Sequence, residues 1–229
     1  MNRLKAVVWD LDGTLIHFRI DYLRARRAAI KILKQHGVAK QELTITKSIL
    51  DNLKISIDFF KRSGYSANRI AQVKHEINDA VSEIELEAAH QATKVKGIEE
   101  VLNYAKQKDL KQAIYTYNTH KNAEVSLQTI NLRNYFDLIV GRDDVNNPKP
   151  HNEHLITICN LLEVKPIHIV VIGDTYRDIQ GALQVGARSI AIRSPTSKLT
   201  NDHLFQHADF IITQKAIEEK LIPIIASLL

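Results

Sequence analysis

Apolar residues along this chain follow two rhythms. Short, β-rich apolar runs recur at Leu4–Trp9, Gln112–Tyr117, Phe136–Val140, His168–Ile172, Ser189–Ile192 and Asp209–Ile212. Runs this continuous predict strands buried on both faces, because a strand with one wet face alternates apolar and polar residues. Most are separated by segments of helical composition: Ile98–Lys108, Asn122–Asn131, Asn152–Leu162, Ile179–Val185 and Gln214–Ala226, with Gly186 placed to end the fourth. Strand and helix in alternation predict an α/β fold, a parallel sheet covered by helices.

One interval breaks the alternation. From about residue 17 to residue 95 no strand pattern is found, and successive amphipathic helices are predicted instead. Leu23, Ile30 and Leu33 have helical spacing, Gly37 suits a C-cap, and two further helices are expected over Gln41–Arg62 and Ala67–Gln91, with Ser63-Gly64-Tyr65 as the turn between them. The expected organisation is therefore a Rossmann-like core of residues 1–16 and 96–229, with an all-helical cap domain of residues 17–95 inserted into it. An insert whose two joints lie near the carboxyl ends of the strands can act as a lid that excludes water, or as a rigid subdomain that steadies the sheet edge.

In open parallel sheets ligands collect beyond the carboxyl ends of the strands, and this chain places its acids there. Asp10-Leu11-Asp12-Gly13-Thr14 follows the run Ala6-Val7-Val8-Trp9. Two carboxylates held this close repel unless a cation or a proton joins them, which suits phosphoryl chemistry. Asp, Gly and Thr also make ordinary turns. A second run, His168–Ile172, leads into Gly173-Asp174-Thr175-Tyr176-Arg177-Asp178. Asp10 and Asp174 suit a hard cation such as Mg2+, which takes one or two protein carboxylates and keeps several waters. Asp178 either orients metal-bound water from outside or caps its helix. Thr116 and Asn118, at the exit of a third run, can donate hydrogen bonds to a phosphoryl oxygen, or reflect strand propensity and turn chemistry. Lys149 stands between two prolines in Asn147-Pro148-Lys149-Pro150, where a stiff loop can aim its charge at a phosphate and a carboxylate.

Composition narrows the setting. The 229 residues are 45% hydrophobic and 25% charged, enough for a sizeable core. Cys159 is the only cysteine, so no internal disulfide framework exists, and Cys159 reads as a small apolar filler on a helix. Asp10 and Asp12 cut the first apolar stretch too short for a secretory leader, and no run approaches a membrane span; a cytoplasmic protein without membrane contact is expected. A net charge of +5 and a pI near 9.2 suit an acidic small substrate or weak, salt-sensitive nucleic-acid contact. The basic residues are scattered, the tightest group being Arg24, Arg26 and Arg27, so no specific nucleic-acid partner is expected.

Taken together, Asp-Leu-Asp-Gly-Thr at 10 to 14, the strand-end Thr116, Lys149 before a helix and Gly-Asp-x-x-x-Asp from 173 to 178 resemble the haloacid dehalogenase superfamily of aspartate-nucleophile phosphohydrolases. The resemblance covers nearly the whole chain, and the helical insert after the first motif is similar to the branch with phosphoglycolate phosphatase-like enzymes and β-phosphoglucomutase. It implies that Asp10 attacks phosphorus to form an aspartyl-phosphate, and that Asp12 protonates the leaving oxygen and later activates water. It further implies that Mg2+ contacts Asp10, Asp174 and the backbone carbonyl of Asp12 with Asp178 behind them, and that Thr116 and Lys149 hold the transferring oxygens. Many relatives carry an Asn directly after the strand-end Thr or Ser; here Tyr117 intervenes before Asn118.

The implied function is a magnesium-dependent phosphatase for a small phosphorylated metabolite, acting as monomer or homodimer. A β-phosphoglucomutase-like phosphotransferase would use the same residues with a sugar hydroxyl in place of water. A dehalogenase needs no acid on its leaving group, which Asp12 argues against, and an inactive binding protein would have lost at least one of these acids. Arg19, Lys47, Lys54 and Arg62 are candidates for a distal anionic group of the substrate or are plain surface cations. Leu221-Ile222-Pro223-Ile224-Ile225 covers the sheet or meets a second subunit.

Overall fold

The computed structural model describes residues 3–17, 20–194 and 202–229. Strands β1 (Ala6–Trp9), β4 (Lys111–Tyr115), β5 (Leu138–Val140), β6 (Ile169–Gly173), β7 (Arg188–Arg193) and β8 (Phe210–Thr213) form one sheet in the order β5-β4-β1-β6-β7-β8. Every pairing in it is parallel. The central strand shows why the sequence runs are continuously apolar. Val7 and Trp9 enter one core with Ile114, Val170 and Ile172, while Ala6 and Val8 enter a second core with Ala113, Tyr115 and Val171 on the other face.

Helices α4 (Ile98–Gln107), α5 (His120–Thr129) and α8 (Ile217–Ser227) supply apolar residues to the first core. Helices α6 (Asn152–Leu161) and α7 (Tyr176–Val185) supply the second, where Cys159 is a buried filler. The apolar tail segment packs inward: Leu221 and Ile225 are fully buried, with Ile222 and Ile224 packed against the same core. Fully burying a side chain of this size contributes about 1.5–3 kcal/mol, so the sheet is held from both sides by many such groups.

The chain divides into two compact units, Met1–Phe18 with Ala89–Leu229, and Arg19–Ala88. The second contains α1 (Tyr22–Gln35), α2 (Ile49–Arg62) and α3 (Ala67–Ala89, whose last residue falls in the first unit) around a core of its own that includes Leu33, Phe60, Val73 and Ile77. Gly37 adopts φ +89° just past the end of α1, as a helix stop requires.

Three expectations for this region need correction. The helix expected over Gln41–Arg62 starts only at Ile49, because Ser48 and Asp51 form a reciprocal cap. The amide of buried Asn52 also ties the preceding turn, accepting from Thr44 N–H at 3.0 Å and donating to Thr44 O at 2.9 Å. Leu23 is exposed; the inward face of α1 is Ala25, Ala29 and Leu33, a stripe that small alanines hide from a search for large apolar residues. Finally, a short strand does occur before residue 95: β3 (Thr93–Lys94) pairs antiparallel with β2 (Ile16–His17), both in the first unit. A two-residue ladder is too short to leave a periodicity.

Candidate active site

Register places the acids. Trp9 pairs with Ile114 on one side and Ile172 on the other, so the chain leaves the sheet at Asp10, Thr116 and Asp174 within one residue of the same level. Asp10 N–H still bonds Ile172 O at 2.8 Å, which fixes the aspartate at the end of the central strand. The chain then turns: Gly13 has φ +81°, its N–H bonds Ile16 O at 2.8 Å, and its carbonyl accepts from Gln214 Nε2 at 2.7 Å. Only glycine fits here, since a Cβ would sit 2.1 Å from Asp174 Oδ2. The turn thus brings the first acidic motif against the second.

Asp10, Asp174 and Asp178 are all buried and offer carboxylate oxygens within 4.8 Å of one another. Lys149, also buried, donates from Nζ to Asp10 Oδ1, to Asp178 Oδ1 at 2.7 Å and to Tyr115 O at 3.0 Å. Thr14 Oγ1 donates to the other Asp10 oxygen at 3.1 Å, and Ser194 Oγ to Asp174 Oδ2 at 2.5 Å. Asp178 is the third residue of α7, and its Oδ2 accepts from Thr175 N–H at 2.9 Å and Thr175 Oγ1 at 2.7 Å. One oxygen thus completes the helix start from its third position, Thr175 being the cap itself, and the other accepts from Lys149.

Electrostatics define what the cluster lacks. Burial, followed by the charges of Asp178, Asp174 and Asp12, pushes the Asp10 carboxyl well above the usual range against the pull of Lys149. The Lys149 ammonium resists burial because Asp10 and Asp178 hold it charged, and its pKa rises. Three buried carboxylates facing one ammonium form a donor set of hard oxygens with excess negative charge, which fits a divalent cation held by Asp10, Asp174 and Asp178. Asp12 lies outside that group of carboxylates. It accepts instead from Asn118 Nδ2 at 3.2 Å, while Asn118 N–H bonds the hydroxyl of buried Thr116 at 3.1 Å.

Of the residues expected to form the site, Asp10, Lys149, Asp174 and Asp178 come together at one point, and Thr116, Asn118 and Asp12 form a hydrogen-bonded chain at the neighbouring strand end. Lys47, Lys54 and Arg62 are exposed in the helical unit, Arg62 donating to Asp58 O of its own helix, and Arg19 lies outside the described residues.

Sequence reasoning missed His154. Its Nδ1 accepts from Lys149 N–H at 3.2 Å, which leaves Nε2 to donate to Val140 O at 3.0 Å, and its ring meets Tyr115 edge-on at 4.5 Å. A single histidine on a helix carries no spacing signal; only the fold shows that it sets the lysine loop. Burial lowers its pKa to about 4. The unfolded chain binds this proton near pH 6.5 and the folded one does not, so stability is full above pH 6.5 and falls as pH drops toward 4. The loss reaches about 3 kcal/mol, and the His154→Gln variant should show a flatter decline in denaturant titrations run from pH 7 to pH 4.

Comparison with known proteins agrees with the geometry. The family model described as haloacid dehalogenase-like hydrolase matches residues 7–192. The chain is 29% identical over 198 residues to the phosphorylated carbohydrates phosphatase of Thermotoga maritima, covering 82% of this chain and 84% of that protein. It is 27% identical over 199 residues to pyrophosphatase PpaX of Bacillus cereus, and 25% identical over 197 residues to N-acetylmuramic acid 6-phosphate phosphatase of Pseudomonas putida, each match covering 83% of both chains. Among solved structures, β-phosphoglucomutase from Clostridium difficile superposes with a TM-score of 0.67 at 18% identity, covering 98% of this chain and 97% of that one. CbbY from Rhodobacter sphaeroides gives 0.64 at 21%, covering 94% and 96%. Among the described residues no helix is long and apolar enough to cross a membrane. With the family model spanning both acidic motifs and the lysine between them, this chain belongs to the haloacid dehalogenase-like hydrolases.

Proposed function

We propose that the protein is a magnesium-dependent phosphatase that cleaves a small phosphorylated metabolite through an aspartyl-phosphate on Asp10. The observation that carries the reading is the buried meeting of Asp10, Asp174, Asp178 and Lys149 at the carboxyl end of the central strand. Its curated relatives named above are phosphatases.

Asp10 attacks phosphorus with a carboxylate oxygen, and the bond from phosphorus to the leaving oxygen breaks as Asp12 gives that oxygen its proton. In the second half Asp12 takes a proton from water, the resulting hydroxide oxygen bonds to phosphorus, and the Asp10–phosphorus bond breaks to release inorganic phosphate and restore the carboxylate. Asn118 holds Asp12 by one oxygen and so aims it. Lys149 offsets the charge of Asp10 and Asp178 and, with Thr116, holds the oxygens of the transferring group. A bound magnesium ion would lower the repulsion between the Asp10 carboxylate and the anionic phosphate.

Hydrolysis of p-nitrophenyl phosphate tests this directly. Turnover is expected with magnesium and falls at least about a hundredfold when the ion is removed with a chelator, returning on its restoration. Metal-independent hydrolysis would remove the acid cluster from the mechanism. Product analysis on sugar phosphates separates water from a sugar hydroxyl as acceptor: free phosphate is the expected product, and an isomerised sugar phosphate would reassign the protein to the phosphotransferases.

A further inference from the structure

Arg177 stands inside the second acidic motif, between Asp174 and Asp178, yet takes no part in the cluster they form. Its guanidinium lies 5.4 Å from the centre of the Tyr117 ring and 5.3 Å from that of Tyr176, both within cation–π range. Tyr117 is the residue that separates Thr116 from Asn118, and its carbonyl is fixed by Arg142 Nη1 at 2.9 Å. Arg177 therefore reaches from the first turn of α7, beside Asp178, to the strand exit carrying Thr116 and Asn118. Among the described residues its guanidinium has no carboxylate or carbonyl acceptor.

We propose that Arg177, which lies against Tyr117 and Tyr176, recognises a second anionic oxygen group of the substrate, a phosphate or carboxylate attached beyond the phosphate that is transferred. The inference rests on the phosphatase reading, since it presupposes a first phosphate at Asp10. Its physical basis is the division of labour within a guanidinium. An arginine with a purely structural role spends its N–H donors on protein acceptors. Here the guanidinium lies within cation–π range of two rings, and none of its five N–H donors, set in a rigid fork, is taken by a described carboxylate or carbonyl, so they stay available for a planar or tetrahedral oxyanion. A half-buried cation resting against two rings loses less conformational freedom on binding than an exposed one. The contact also gives a purpose to the inserted Tyr117.

Calorimetric titration with three non-hydrolysable probes, at a fixed free magnesium concentration, tests the assignment. Methylphosphonate carries one anionic group; methylenediphosphonate adds a second phosphonate, and phosphonoacetate a carboxylate. The wild-type protein is expected to bind at least one of the two larger probes about tenfold more tightly than methylphosphonate, and the probe preferred tells whether the second group is phosphate or carboxylate. In Arg177→Gln that ratio should collapse toward one. Arg177→Lys, which keeps the charge without the fork, should retain part of it, and Tyr117→Leu should erode it by removing one of the two rings beside the guanidinium.

A wild-type ratio near one, or a ratio unchanged in Arg177→Gln, overturns the proposal. Should Arg177→Gln fail to fold, the ratios in Arg177→Lys and Tyr117→Leu decide by the same criterion. Binding is read without turnover, so an enzyme inert toward p-nitrophenyl phosphate but retaining an Arg177-dependent ratio would sink the phosphatase reading alone.

Discussion

Asp10→Asn is expected to lose at least about a thousandfold in turnover of p-nitrophenyl phosphate while remaining folded. The amide has the shape of the carboxylate but no anionic oxygen to bond phosphorus, and no other described carboxylate holds the same position at the end of the central strand. Stability should change little because two effects oppose. Removing a negative charge relieves repulsion from Asp174 and Asp178, whose charges push the Asp10 carboxyl upward, but it also deprives Lys149 of one of two anionic partners. Steady-state kinetics and a thermal melt on the same sample check both halves. Retention of more than about 1% of wild-type turnover would mean that the attacking group lies elsewhere.

Lys149→Met is expected to give the largest change in stability. Methionine fills a similar volume, but the change strips Asp10 and Asp178 of their shared ammonium and leaves the buried acids facing one another. Removing one member of a buried, hydrogen-bonded ion pair costs about 3–5 kcal/mol, which for a chain of this length lowers the melting temperature by about ten degrees. The sign of a second effect follows. On the proposed reading a divalent cation binds the folded cluster and not the unfolded chain, so millimolar magnesium should recover part of the loss and should raise the melting temperature of the variant more than that of the wild type. A variant that melts like the wild type without added metal would show that the lysine does not hold the acids together. Turnover should fall as well, through the loss of a cation facing the transferring oxygens.

The sheet was legible in the sequence because burial on both faces leaves an unbroken apolar signature, as in Ala6–Trp9 and Ile169–Ile172. The acids stood out for a related reason: a carboxylate directly after such a run conflicts with its surroundings unless it has a task. Partners were harder to read. Lys149 could be recognised as a charge on a stiff loop, but its three acceptors come from positions 10, 115 and 178, which only the strand order brings together. His154 and Ser194 left no mark, since a lone polar residue gains meaning from what it touches. In the helical unit size and length hide the detail: Ala25 and Ala29 pack a face that Leu23 does not, and the cap at Ser48 and Asp51 sits within a longer amphipathic stretch.

The two-residue ladder of β2 and β3 has an evolutionary consequence. Ile16 pairs with Lys94 and His17 with Thr93, so the outgoing and returning chains lie side by side, about 5 Å apart at the backbone. Everything between them is spliced in at one doorway, and its length can change without shifting the register of any sheet strand. A lineage can therefore trade the intervening helices for others while the reaction centre is inherited intact.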